Sequence, residues 1–302
     1  MNRIVSFTFV SFFCLLTVSS CHKRLHSSAF VPPIIPQSLA TTTEKTDYLL
    51  DHYWDAFVFD DTSLVVDGGV LEPIWQGYVE ALSMASSEKA CSSMVETLHK
   101  AEKNKALFVQ LTELSDLYFY HPDSPYRSDS LYRSVLEVES STPITTEDEK
   151  VFSKSRLALI NRNRVGGAAE NFPYTKVSGE KGELYDLNSP YILLFFNDPH
   201  CYACEEMKEA LKRNKLINQL IDSKKLLLLA LYPYGNTGSW GDQSQGYPPK
   251  WNLACDENQT ILNEERYDLM VVPCMYLLDN KKTVLIKEAS VRQVEAYFKT
   301  KM

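Results

Sequence analysis

The sequence predicts an α/β sandwich, a mixed sheet flanked by helices, over residues 166–302, preceded by a small all-α domain over residues 47–165. Three observations carry this. Apolar residues recur at spacings of three and four up to about Val165. Beyond Gly166 that period gives way to short apolar runs alternating with helical segments. The composition, 44% hydrophobic and 23% charged in 302 residues, is that of a globular chain long enough for more than one core.

In the first half, Tyr48, Leu49, His52, Tyr53, Ala56 and Phe57 form one apolar helix face. Similar periodicity runs through Ile74–Met84, Ala90–Leu98, Leu107–Tyr118, Ser130–Val138 and Glu147–Asn161. Breakers lie between these segments, at Asp67-Gly68-Gly69, Ser86-Ser87 and the His121–Pro125 stretch. The aromatic stripe reads as core, and Cys91 inside a helical pattern reads as a small buried hydrophobe. His52, His99 and His121 lack metal-ligand spacing, so this half predicts no chemistry.

In the second half, Phe172–Val177 and Glu183–Leu187 flank a turn-rich stretch and predict a hairpin. Tyr191–Asn197 and Leu226–Leu231 are continuous apolar runs of strand length, as expected of strands buried on both faces. Cys201–Leu211 turns helical, Ile217–Ile221 continues as a second helix, and another is expected near Glu257–Arg266. The stretch Tyr232–Trp251, rich in Gly, Pro and aromatics, predicts a strand-end loop, either lining a cleft or packing on itself. Cys274–Leu278 and Thr283–Lys287 predict a hairpin turning at Asp279-Asn280-Lys281, and Ser290 caps a closing helix.

Several function classes are excluded. A net charge of −8 without a basic block argues against nucleic acid. No repeat suggests a solenoid. Seven cysteines are too few for a disulfide scaffold, so each is read singly.

Residues 1–20 read as an export signal. Arg3 precedes an apolar run from Ile4 to Val18, too short to span a bilayer comfortably, which closes on Ser19-Ser20-Cys21. Small residues before a cysteine resemble the lipobox of bacterial lipoproteins, and the resemblance implies lipidation of Cys21. Residues 21–46 then read as a Ser, Thr and Pro-rich tether holding soluble domains to a membrane.

The chemistry is expected in Asn197-Asp198-Pro199-His200-Cys201-Tyr202-Ala203-Cys204. A buried strand ends, a short turn follows, and a C-x-x-C opens a helix. Unsatisfied N–H groups and the helix dipole favour a thiolate on the first sulfur, and the second lies one turn on, within reach of a mixed disulfide. A zinc site needs a second matched pair, which Cys255 and Cys274 do not supply, so no metal is expected. A c-type haem needs His where Glu205 stands. No separate cofactor is expected, because a dithiol carries its own two electrons.

The strand–CxxC–helix of Tyr191–Leu211, with Val271-Val272-Pro273 ahead of a strand, resembles the thioredoxin superfamily, most closely its periplasmic oxidoreductases. That resemblance implies a thioredoxin-like sandwich in which Pro273 is a cis-proline facing the CxxC, leaving the backbone of Val272 to pair with a substrate strand. The layout also resembles lipoproteins of Bacteroidota in which a helical domain of unknown function comes first. The matching words are Tyr53-Trp54-Asp55, Ser124-Pro125-Tyr126, Asn161-Arg162-Asn163-Arg164 and Tyr276-Leu277-Leu278-Asp279. What this implies is a lipid-anchored thiol–disulfide oxidoreductase of the cell envelope, soluble in the periplasm. Cys201 is then the nucleophile and Cys204 the resolving thiol, with His200, Tyr202, Ala203 and Val272 modulating. Protein thiols and disulfides are the expected partners, with a membrane electron donor if the protein works as a reductase.

Three departures from that family stand out. His200 replaces Trp before the first cysteine, which would favour the thiolate or be a plain surface residue. The acid expected in the preceding strand is missing, since Leu193 to Phe196 are apolar, leaving Asp198, Glu205 or Glu206 to relay protons. Cys274 stands where Thr is usual, either as an oxidisable thiol or as a buried strand residue. Asn197 occupies the place where a peroxidase would need Thr. The alternative class is a binding or scaffold lipoprotein whose CxxC is vestigial or structural.

Overall fold

A computed structural model describes residues 30–60, 68–235 and 246–301. The expected signal, the expected lipidation site at Cys21 and Trp240 of the strand-end loop lie outside the described residues. Among those described, no helix is long and apolar enough to cross a membrane.

The helical half contains α1 (Thr42–His52), α2 (Gly68–Met84), α3 (Ser87–Ala101), α4 (Lys105–Ser115), α5 (Asp129–Ser141) and α6 (Glu147–Asn161). Side-chain caps fix many of the starts. Thr41 accepts from the Glu44 N–H while the Glu44 carboxylate accepts from the Thr41 N–H, so α1 begins inside the stretch that reads as tether. Phe30 also belongs to this half, packing 5.3 Å from the Tyr53 ring. The end of α4 widens into a π-helical turn, Asp116–Tyr120, which carries Phe119 inward and brings Tyr120 to the second half.

The second half is a seven-stranded mixed sheet in the order β2-β1-β5-β4-β3-β6-β7. Its strands are β1 (Pro173–Lys176), β2 (Lys181–Glu183), β3 (Tyr191–Phe196), β4 (Leu226–Tyr232), β5 (Asn252–Cys255), β6 (Cys274–Asp279) and β7 (Val284–Ile286). The central trio β5, β4 and β3 is parallel, and β6 joins β3 antiparallel. Side chains alternate across β3. Ile192, Leu194 and Phe196 face one core, and Leu193 and Phe195 the other. Both faces are covered, hence the continuous apolar run. Helices α7 (Tyr202–Arg213), α8 (Lys215–Asp222) and α10 (Val291–Lys299) follow β3, α7 and β7 respectively. Their residues Leu211, Ile217, Leu220, Ile221, Val294 and Phe298 pack on the Leu193 face.

Three local expectations change. Leu184–Asp186 is a 3-10 turn rather than strand, because Leu184 drops into the core and Glu183 caps the turn with Asp186. The helix expected at Glu257–Arg266 shortens to α9 (Thr260–Asn263), which follows Gln259 in a left-handed conformation. Asn252–Cys255, too short to signal itself, is recruited as β5 by pairing with β4 and β1.

The halves meet through polar contacts. Arg127 forms a two-point pair with Glu288, at 2.7 and 2.8 Å. Lys287 reaches Asp129 at 2.6 Å, and the Tyr120 hydroxyl donates to Asp268 Oδ1 at 3.0 Å.

A candidate dithiol site where a strand hands over to a helix

Strand β3 ends at Phe196 in the sheet centre, and residues 197–200 turn the chain into α7. Cys201 is the N-cap of that helix. Its backbone is extended (φ −90°, ψ 121°), and its Sγ accepts the N–H of Cys204 at 3.2 Å, as a Ser or Asp cap oxygen would. The Cys201 thiol is partly exposed and donates to the carbonyl of Val272 at 3.5 Å. The sulfur therefore sits at the helix N-terminus between a backbone donor and a backbone acceptor.

Cys204 differs. It is buried, and its Sγ accepts only the Asp198 N–H at 3.4 Å among the contacts described. Burial pushes its thiol up to about 12, the Asp198 N–H offsetting part of that and neighbouring Cys201 adding to it. One sulfur is thus presented and the other held protonated behind it.

Around the pair, Tyr202 is 79% exposed and Ala203 is exposed, so the face beyond the sulfurs is open. His200 is exposed, its backbone N–H donating to Asp198 Oδ1 at 2.8 Å. The Val272–Pro273 peptide is cis, and both residues are partly exposed beside Cys201. Cys274 and Cys255 are buried, and burial raises both thiols, so neither presents a sulfur to solvent. Cys91 lies partly buried against the helical core. Among the described residues no cluster of ligands could hold a metal.

Sequence reasoning missed the residues behind Cys204. Lys208 on α7 is buried, 2.5 Å from the Glu205 carboxylate and 4.6 Å from the Tyr247 ring. The Tyr247 hydroxyl donates to Asn197 Oδ1 at 2.5 Å, and Asn197 Nδ2 donates to Phe195 O. Glu205 is therefore engaged with Lys208, and Glu206 is exposed. The signal for Lys208 was available: it falls four residues after Cys204, on the same helix face. In the Tyr232–Trp251 stretch, Trp251 and Tyr247 pack on the Leu193 face, whereas Tyr232 and Tyr234 pair with each other.

The model of a domain of unknown function, DUF5106, matches residues 15–163. Among solved structures, a thioredoxin-like protein from Bacteroides caccae is 37% identical, with a TM-score of 0.86 over 90% of this chain and 99% of that one. The C-terminal domain of an uncharacterized Bacteroides fragilis protein is 43% identical over 45% of this chain and 96% of that one, with a TM-score of 0.44. A conserved Bacteroides fragilis protein of unknown function is 28% identical over 45% and 98%, with a TM-score of 0.43. No curated protein matches the chain. The similarity to the Bacteroides caccae protein runs through both halves, so the chain belongs to the thioredoxin-like family, with the DUF5106 domain of unknown function as its first half.

Proposed function

We propose that this protein is a thiol–disulfide oxidoreductase of the cell envelope, held to a membrane by a lipid on Cys21 and acting on protein disulfides. The observation that carries the reading is the asymmetry of the two sulfurs: a partly exposed Cys201 capping α7, and a buried Cys204 one turn on. As a thiolate, Cys201 attacks one sulfur of a client disulfide. A Cys201–client bond forms, the client S–S bond breaks, and the leaving sulfur takes a proton from solvent. Cys204 then loses its proton and attacks Cys201, releasing the second client thiol and leaving a Cys201–Cys204 disulfide. Two electrons have passed to the client. Pro273 and Val272 border the groove in which an extended client segment lies. Reset requires two electrons from a dithiol donor, assigned to a membrane partner.

The reductase direction is taken from the resemblance to tethered periplasmic oxidoreductases, and the reduction potential decides it. A reduction potential near about −270 mV supports it, and one near about −120 mV makes the protein an oxidant instead. The deciding experiment is trapping. In Cys204→Ser, resolution is blocked, and a reduced protein should accumulate mixed disulfides through Cys201 with envelope proteins. If none form, and Cys201→Ser leaves the cellular phenotype intact, the CxxC is vestigial and the protein is a binding module.

A further inference from the structure

Beside Pro273 lies a cavity of about 230 Å³ built by both halves of the chain. Pro122 and Arg127 come from the helical half. Met207 comes from α7, Met270 and Asp268 from the segment leading to Pro273, and Met275 from β6. Its walls are largely apolar and soft, since methionine side chains adapt to what they contact. Met270 is half exposed at the mouth.

One polar group stands out there. Asp268 is only 7% exposed. Its Oδ1 accepts from the Tyr120 hydroxyl, but its Oδ2 has no hydrogen-bond partner among the described residues. The nearby cations spend their hydrogen bonds elsewhere, although the Arg127 charge still acts on Asp268. Arg127 is bound at two points by Glu288 and also donates to the Tyr120 carbonyl, and Lys287 is held by Asp129. A buried carboxylate oxygen without a donor is unfavourable, and a cationic donor arriving along an apolar wall relieves it.

We propose that this cavity is a client-recognition subsite that takes a lysine or arginine side chain flanking the client cysteine, with Asp268 as its anchor. The inference rests on the disulfide-exchange reading above. The aliphatic stem lies against Met207, Met270 and Met275, which line the cavity, and the charged end reaches the buried Oδ2 by displacing the side chains packed over it. A client strand passing Val272 advances roughly 3.3 Å per residue, so the residues next to its cysteine fall beside Pro273. The helical half then has a part in the chemistry: through Tyr120 it holds the anchor, and through Pro122 and Arg127 it closes the far wall.

The test uses the mature chain without its lipid, reduced, against symmetrical disulfides of short peptides. These differ only in having Lys, norleucine or Glu on either side of the single cysteine. Faster exchange of the Lys peptide than the Glu peptide, by about tenfold or more at pH 7, is expected from one charge-assisted contact. Asp268→Asn should bring that ratio to within about twofold, and Asp268→Glu should restore part of it. Equal rates across the wild-type series overturn the subsite whatever the variants do, while leaving disulfide exchange itself standing. A preference that survives in a folded Asp268→Asn protein overturns Asp268 as anchor. No exchange with any peptide, or with glutathione disulfide, overturns the underlying redox reading instead.

Discussion

The helical half and the sheet half bury their apolar residues in different ways, and the difference locates the chemistry. In the helical half, Tyr53, Trp54, Phe57, Phe59, Trp75 and Tyr78 form one aromatic cluster, with Trp54 and Tyr78 centroids 5.0 Å apart. A buried hydroxyl there is satisfied internally, Tyr78 meeting Ser93 and Thr97 at 2.7 and 2.8 Å. In the sheet half the core is mostly aliphatic and lies in two layers on either side of parallel strands. Parallel strands must end together, and the turn after β3 gathers Asn197, Asp198, Cys201 and Cys204 at one edge. The helical half closes on an aromatic core, whereas the end of the central strand β3 brings a partly exposed cysteine to the surface.

Paired substitutions break this comparison most strongly. Trp75→Ala removes a fully buried ring from the helical core and is expected to cost about 3–5 kcal/mol. Cys201→Ser should do the reverse. It changes stability by within about 0.5 kcal/mol, because serine is a good N-cap, yet lowers disulfide exchange to background. Urea titration and a protein-disulfide reduction assay on both variants read the two effects. Loss of stability in Cys201→Ser equal to that in Trp75→Ala would show the site to be structural.

The boundary between the halves gives a smaller effect. Arg127 and Glu288 are 18% and 24% exposed, so their pair is only partly screened. Glu288→Ala strands Arg127 and is expected to cost about 1–3 kcal/mol, less than the full penalty of a dry ion pair. If the halves lean on this contact, calorimetry of the variant should separate into two transitions where the parent shows one.

The smallest effect sharpens the contrast between the two sulfurs. The Cys204 thiol sits at about 12 in the fold, against about 8.5 for a thiol in the unfolded chain. A raised pKa means stability that is whole below about pH 8.5 and falls as pH rises toward 12. The reduced protein should therefore lose about 1.2 kcal/mol more than Cys204→Ser does between pH 9 and 10, the unfolded thiol being only part-ionised at pH 9. Denaturant midpoints at the two pH values check it. An equal slope in both proteins would show that Cys204 is not shielded.

Much of this was legible in the sequence, for identifiable reasons. The runs YILLFF and LLLLALY announce buried strands because both faces are covered. The CxxC announces its helix by following one of them. The interior strand β5 is not legible, since its four residues depend on hydrogen bonds to β4 and β1 rather than on any pattern of their own. Glu257–Arg266 looked helical, but Gln259 and Glu265 adopt left-handed conformations that cut it to a single turn. Asp268 and Tyr120 meet across 148 positions of sequence, a contact that no local period encodes.

The most direct measurement is the redox state of the cysteines in the mature chain, titrated with glutathione and mapped by peptide mass spectrometry. The account predicts one reversible disulfide, Cys201 to Cys204, formed with loss of two hydrogens and reopened by a dithiol, while Cys91, Cys255 and Cys274 stay as thiols. A chain whose Cys201 and Cys204 remain unlinked across the whole titration, or whose Cys201 joins Cys274 instead, would contradict it.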